Sequence, residues 1–426
     1  MVTTPTGAQR SLVTLIDSYC RRTCRAVLDQ HPGSSVSSPL GIWLLLAGCS
    51  TAASGDNQRA IEKALGCPTA EAATLLSRFL EAPPAALHSA LALWVRSADR
   101  TSPLVDWSSS LPPQVERGPI PSQKDADAWA DRHTMGLINQ FPIEITKLTR
   151  LILASVLATK VTWQEPLEVV PAAEHLRDSS PWFDRLQNVL LDRSPIIPLM
   201  LARTEAAGVV AVHFAVATED LAVVAVAADP TLDRGLALEA AYEIAERCRY
   251  DDLAGARCSL FDLPLGEGHS WEITEEVVPS FTAGEHSEEI ESAVLAAWSI
   301  RGDLDLKVGG FGIEPTLDVL LGLIGPSPLG DKSDAVQSAI ASYTPTGFEA
   351  AAMSILSLRA RGMRPPTEKG LQRRARLIFD HPYAAIALAG TTSDFRRARA
   401  GHTETFCLPL FSAWVAEPRN PDVEAD

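Results

Sequence analysis

The sequence predicts an α+β fold. Apolar residues at helical spacing dominate the chain up to Leu65, and strand-like runs rich in β-branched residues begin at Leu151. From there strands and helices intermix without the regular rhythm of a parallel βαβ sheet. There is no internal repeat. At 426 residues the chain can bury about three quarters of its extended surface, so its core needs neither a metal nor a disulfide.

Leu12, Leu15, Ile16, Tyr19 and Val27 predict an amphipathic helix over residues 9–30, ended by His31-Pro32-Gly33. Ser37-Ser38-Pro39-Leu40 opens a segment that is apolar on every side, a buried helix with proline in its first turn. Asp56 is placed to cap a third helix, with Ile61, Ala64 and Leu65 inward and Gly66 as its left-handed stop. Pro and Ser enrichment over 101–123 reads as a surface loop. Ala128, Trp129, Thr134, Leu137 and Ile138 then mark another helix. Residues 151–163, 209–217, 221–227, 293–300, 335–343, 377–388 and 408–415 read as strands, the second and third joined by a tight turn at Thr218-Glu219-Asp220.

Charge narrows the function. Lys and Arg total 37 against 53 Asp and Glu, a net charge of −16, which disfavours a protein that works by neutralising phosphates. No nucleic-acid and no membrane partner is expected. The bases are mostly Arg, which reads as GC-rich codon usage, and that bias carries no functional weight. Between Arg257 and Arg301 stand nine acids and no Lys or Arg, read as a solvated face. Between Arg359 and Arg376 the balance inverts to seven bases and one acid, a +6 patch on a body of −22. Seven cysteines, none in a C-x-x-C pair, read as reduced, buried thiols. The N-terminus is polar without a basic region before an apolar stretch, and the apolar run over 40–49 is half a membrane span. A cytoplasmic location is the expectation.

Enzyme motifs are missing. G-x-S-x-G, H-E-x-x-H, G-x-G-x-x-G, S-x-x-K and a Gly-Lys phosphate loop do not occur. A Cys/His hydrolase remains as a residual reading, while Cys49, His133 and His213 read as structural. No catalytic residue, metal or cofactor is expected, and the chain is read as a non-enzyme.

Several blocks, in order, are similar to one family. Ser38-Pro39-Leu40-Gly41-Ile42 resembles the S-P-x-S-I helix start of the serpins. Ala128-Trp129 through Thr134-Met135-Gly136-Leu137-Ile138 is similar to their N-x-W-V-x-x-x-T-x-G-x-I. Residues 151–163 match L-V-L-V-N-A-x-Y-F-K-G-x-W at Lys160 and Trp163 without a gap. Gly347-Phe348-Glu349-Ala350-Ala351-Ala352 resembles the hinge G-T-E-A-A-A, and His381-Pro382-Tyr383 and Leu410 to Pro418 resemble the C-terminal strands. The resemblance spans nearly the whole chain, with 164–292 the weakest zone.

It implies one serpin-like domain over 1–426 with three β-sheets, about nine helices and an exposed reactive-centre loop over 345–376, offered as bait to a serine protease. The cut loop would insert as a new central strand, releasing stored strain, in a monomer whose stability before cleavage is kinetic. Fourteen residues on from Gly347, the scissile bond falls between Arg361 and Gly362, with Arg359 and Arg364 as alternatives. Arg at that position implies a trypsin-like protease.

The departures define an alternative from another class, a non-inhibitory binding or scaffold protein whose loop cannot insert. Phe348 stands where inhibitory members carry Thr or Ser. Pro345 replaces the hinge Glu, and Ala297 replaces its Lys partner. In the sheet-opening region Ser38 is kept, but Gly41, Ser155 and Gln337 stand where Ser, Asn and His form a hydrogen-bonded network. The path from Arg361 to Phe379 is about ten residues longer than usual.

Overall fold

Leu12, Val13, Ile16, Tyr19, Cys20, Val27 and Leu28 are all buried along one stripe of α1 (Gly7–Gln30), and Tyr19 donates its hydroxyl to the Phe311 carbonyl at 2.8 Å. The periodicity read from the sequence is therefore the buried face of the helix. The structure, a computed structural model, describes residues 7–250, 257–280, 288–326, 335–348, 368–390 and 407–421. Contacts group the chain into two compact units: Met1–Thr159, Arg301–Ile340 and Phe406–Ala413 form the first, and Lys160–Ile300, Ala341–Thr405 and Trp414–Asp426 the second.

The first unit holds α1, β1 (Ser35–Ser37), α2 (Pro39–Ser50), α3 (Gly55–Leu65), α4 (Thr69–Glu81), β2 (His88–Val95), α5 (Ser102–Ser110), β3 (Glu116–Gly118), α6 (Gln123–His133) and β4 (Leu151–Ala158). The second holds β5 (Val161–Thr162), β6 (Glu168–Pro171), β7 (Asn188–Asp192), β8 (Met200–Thr204), β9 (Gly208–Val216), β10 (Leu221–Ala227), α7 (Arg234–Tyr250), β11 (Arg257–Ser259), β12 (Gly266–Glu267), β13 (Trp271–Ser280) and β14 (Glu288–Leu295). β15 (Trp298–Asp305), β16 (Val336–Tyr343) and β20 (Leu408–Val415) contribute residues to both. The first unit adds α8 (Ile313–Ile324), and the second β17 (Gly347–Phe348), β18 (Glu368–Ile378) and β19 (Tyr383–Ala389). Eight α-helices lie among the described residues.

In the first unit α2 is buried on all sides, as its composition requires. Ser38 caps it by accepting from the Gly41 amide, and Pro39 sits in the first turn. Gly66 stops α3 at φ +78. That helix begins before Asp56, which sits in the first turn and there favours the positive end of the helix dipole. The stretch expected as loop from 101 contains α5 instead. Thr101 accepts from the Leu104 amide, Pro103 occupies the first turn, and Leu104 and Trp107 are buried one turn apart. α6 stops at His133 because Met135 and Gly136 take left-handed backbone, φ 56 and 83, so Leu137 and Ile138 lie past its end.

Three expected strands each prove to be parts of two. Residues 293–300 hold the end of β14 and the start of β15, 377–388 the end of β18 and most of β19, and 151–163 both β4 and β5. The second break falls at Phe379-Asp380-His381-Pro382, where two buried polar side chains find partners off the ladder and Pro382 has no amide to give. In the second unit β19, β10, β9, β8 and β11 neighbour one another in that order, with α7 against β10 and β19. The turn 218–220 joins β9 and β10 as expected, with Asp220 at φ 52.

A six-stranded sheet, order β12-β13-β18-β14-β7-β6, lies wholly in the second unit and corrects the charge reading. The acidic tract is a solvated face only in part: Asp262, Glu267, Glu276, Glu288 and Glu289 are exposed, but the tract also supplies strands that pair with the basic one, and the basic residues from Lys369 onward are strand, not loop. β13 runs antiparallel to β18, placing Glu272 opposite Arg376 and Glu275 opposite Arg373. Ion pairs follow: Arg376–Glu272 at 3.1 Å, Arg373–Glu275 at 3.3 Å and, diagonally, Arg374–Glu276 at 2.6 Å. Each is part-exposed and contributes about 0.5 kcal/mol. On its other edge β18 runs parallel to β14, where Gln372 donates to Glu288 at 2.7 Å.

The root of this pairing is a buried node. Arg177 grips Asp380 through both carboxylate oxygens at 2.6 Å, donates to the Gly268 carbonyl at 2.6 Å, and also bonds the His269 carbonyl. Burial raises the Asp380 pKa, but bonds from His381 and Arg177 outweigh it and hold the carboxyl below its ordinary range. Because the folded value is depressed, the stabilisation is present above the ordinary carboxylate pKa of about 4 and is lost as pH falls through the folded value. Asp380→Asn is expected to cost about 3 kcal/mol at neutral pH by leaving Arg177 without its counter-charge. Urea unfolding should also show a flatter loss of stability in acid for this variant than for the wild type.

Candidate functional site: a strand hinge and a polar seam

The expected hinge begins inside a sheet. Residues 344–347, Thr-Pro-Thr-Gly, place proline second and glycine fourth, the composition of a type I turn. The Thr344 amide and hydroxyl both donate to the Gly347 carbonyl, at 3.0 and 2.9 Å, and the Gly347 amide returns a bond to the Thr344 hydroxyl at 3.1 Å. Pro345 has no amide to satisfy, and its carbonyl accepts from the Leu167 amide at 2.8 Å. The substitution of proline at the hinge therefore suits a turn that sends the chain back on itself.

The returning residues form β17, paired on both edges: Phe348 opposite Tyr343 of β16 and Val161 of β5, and Gly347 opposite Thr162. Phe348, the residue that departs most from the resembled hinge, is 2% exposed. Its ring meets Trp298 edge-on at 6.1 Å. Trp298 in turn stacks on Tyr343 at 5.9 Å, and Tyr343 leans on Trp163 at 5.1 Å. Such pairs add about 0.5–1.5 kcal/mol each beyond burial. Ala297 is buried with its carbonyl bonded to the Arg419 amide, in a setting that would penalise a lysine. Packing thus closes the position where the resembled family carries an ion pair. The Tyr343 hydroxyl is buried without a partner among the described residues, and burial drives its pKa up.

In the first unit the sheet-opening residues form a seam. The Gln337 side chain accepts from the Ser38 amide at 2.9 Å and donates to the Ser38 carbonyl at 2.8 Å. The Ser38 hydroxyl donates to the Leu410 carbonyl at 2.7 Å, and that of Ser155 donates to the Gly41 carbonyl at 3.0 Å. The altered residues fit one another. A Cβ on Gly41 would stand 3.4 Å from the Gln337 amide nitrogen, 3.6 Å from the Ser155 hydroxyl and 2.8 Å from Leu157 Cδ1, so glycine is what admits this arrangement. Sequence reading marked each position as a loss, because their mutual fit is visible only in space.

Ser155 lies on β4 and Gln337 on β16, yet β4 and β16 are not hydrogen-bonded to each other. β4 belongs to a three-stranded ladder, β3-β2-β4, and β16 to a four-stranded one, β15-β16-β17-β5. The four hydrogen-bonded sheets among the described residues, against three expected, follow from that separation. Glu349, Ala350, Ala351, Ala352, Arg359, Arg361, Gly362 and Arg364 fall outside the described residues. The loop expected over 345–376 is strand at 347–348 and from 368 onward.

Other candidate chemistry recedes. Burial drives the Cys49 thiol far up, and burial with nearby Glu71 and Glu62 pushes Cys67 up to about 11, so neither is a ready nucleophile. His213 bonds Asp192 at 2.9 Å, and His133 Nε2 lies 2.9 Å from the Glu116 carboxylate, both structural pairings. No helix among the described residues is long and apolar enough to cross a membrane. A cleft of about 520 Å³ beside β8 and β11 is lined by Arg203, Arg247 and Arg257, but Arg247 already bonds Glu243 and the Arg203 carbonyl.

No family model matches the sequence, and no characterised protein matches it by sequence. Solved structures do. The thermophilic serpin tengpin, in its native state, aligns over 98% of this chain and 96% of its own, with a TM-score of 0.61 at 14% identity. Human thyroxine-binding globulin aligns over 97% and 100%, with a TM-score of 0.62 at 13% identity. Serpin48 from the insect Tenebrio molitor aligns over 96% and 99%, with a TM-score of 0.55 at 15% identity. The chain has the serpin fold.

Two substitutions test the site. Gln337→Ala strands the Ser38 amide and is expected to cost about 1–2 kcal/mol. Tyr343→Phe removes only a hydroxyl without a bond and is expected to be neutral or stabilising by up to about 1 kcal/mol. Denaturant midpoints of the two variants against wild type check both signs.

Proposed function

We propose that the chain is a serine-protease inhibitor that acts as a suicide substrate through loop insertion. The observation that carries this reading is the place of β17. It lies between β16 and β5, paired to both, while β16 and β4 are not hydrogen-bonded to each other. Gly347 and Phe348, the first two residues of the proposed hinge, are strand, and Phe348 packs against an aromatic ring. The ring that sequence reading marked as an obstacle is therefore the first side chain seated.

The attacked bond is Arg361–Gly362. Arg361 would pair with an aspartate at the base of a trypsin-like pocket, the protease serine would attack its carbonyl, and the amine of Gly362 would leave. The ester that remains ties the protease to residues preceding the cut, and those residues are free to continue β17 as a strand. Ala350, Ala352, Ser354 and Leu356 alternate onto the face that Phe348 begins, and all are small or apolar. The energy comes from satisfying backbone groups along the β4 and β16 edges.

Incubation with trypsin is expected to yield a covalent, denaturant-resistant complex at high yield, and the chain cut at Arg361 is expected to melt well above the intact one. Turnover of the loop without a complex, and with an unchanged melting temperature, would establish the alternative, a binding protein of the same fold.

A further inference from the structure

The outer edge of the β8–β9 hairpin carries a feature that loop insertion does not use. β11 pairs with β8 over three residues only, Arg257 opposite Ala202 to Ser259 opposite Met200, whereas β9 runs beside β8 through Thr204. The far side of β8 at Arg203 and Thr204 therefore has no strand beside it among the described residues. Both residues line the cleft of about 520 Å³, together with Arg257 at the end of β11 and Arg247 from α7. Such a volume suits a small organic molecule, whose pockets measure roughly 300–1,000 Å³. Every lining residue belongs to the second unit.

The lining has two characters. Arg203, Arg247 and Arg257 set three positive charges against the single carboxylate of Glu205, in a chain whose net charge is −16. Arg247 is engaged: it lies 3.8 Å from Glu243 and donates to the Arg203 carbonyl. Glu243 also accepts from the Glu205 and Ala206 amides at 2.7 and 2.8 Å, so its carboxylate is committed to the hairpin turn and to Arg247. Arg203 and Arg257 are exposed and make no ion pair among the described residues. Beside them stand Leu201, Leu263 and Val209; Val209 faces Arg203 across the ladder and is 39% exposed. An apolar wall next to two guanidinium groups without counter-charges matches a ligand that has both a charge and an apolar body.

We propose that this cleft binds a small organic acid, a carboxylate carried on an apolar chain or ring. Arg203 and Arg257 hold the carboxylate, to which a guanidinium offers paired N–H donors. Leu201, Val209 and Leu263 cover the apolar part and release water in doing so. A bare inorganic anion would leave that wall wet, and a neutral hydrocarbon would leave the arginines unused. The proposal is independent of whether the loop inserts. Cys258 lines the same cleft and is the one cysteine of the seven that is not buried, so it reports occupancy.

The test is titration calorimetry of the full chain with octanoate, which is expected to occupy a single site. Octanol, the same chain without the charge, and inorganic phosphate, a charge without the chain, should each bind about tenfold more weakly or worse. Arg203→Gln combined with Arg257→Gln should weaken octanoate about tenfold. Val209→Glu, at an exposed position, should do the same by setting a second carboxylate against the ligand, and unchanged melting temperatures show that both variants are folded. Octanoate should also slow alkylation of Cys258 by iodoacetamide in the wild type and leave it unchanged in the double variant. The proposal is overturned if the wild type does not bind octanoate, if octanol or phosphate binds as tightly, or if the double variant retains wild-type affinity. The octanol and phosphate comparisons use the wild type alone and decide the matter even where a variant is unstable.

Discussion

Everything in this fold turns on backbone groups that two neighbouring strands do not give to each other. A strand edge carries a row of donors and acceptors, and leaving them without a ladder is costly and invites another strand. β4 and β16 are tied separately to the start of α2, through Ser155 to Gly41 and through Gln337 to Ser38, but no ladder joins them. β17 lies between β16 and β5. The seam therefore positions two edges that no ladder joins among the described residues.

The chain reaches that state with its own residues. Where the resembled family uses an ion pair at the hinge, this chain packs Phe348, Trp298, Tyr343 and Trp163, so the entry is held by apolar contact and is insensitive to salt. Where the family uses Ser, Asn and His beneath the sheet, Gly41, Ser155 and Gln337 make a different set of bonds. A side chain larger than glycine at 41 would push against Leu157, and a shorter residue at 337 would leave the Ser38 amide open.

Much of this was legible in the sequence where one local rule governs. The α1 stripe, the Ser38-Pro39 cap, the Gly66 stop and the β9–β10 hairpin follow from periodicity and turn chemistry. The serpin fold was legible from the order of short blocks, even though each block is loose. What could not be read was pairing across long separations. β13 and β18 are nearly a hundred residues apart, so their opposite charges looked like two unrelated surfaces. Phe348 looked like an obstacle because its neighbours Trp298 and Val161 are distant in sequence, and Pro345 looked like a lost bond because the turn that needs it was not recognised. Helix α5 was hidden by the prolines and serines that in fact begin it.

The most direct test is amide hydrogen exchange along β4 and residues 336–340 of β16, before and after the loop is cut by trypsin. The amides that do not bond β2 or β15 should exchange rapidly in the intact protein and become protected by several orders of magnitude once the cut loop joins the sheet. Protection that is already high in the intact chain, or unchanged by cleavage, would contradict the account.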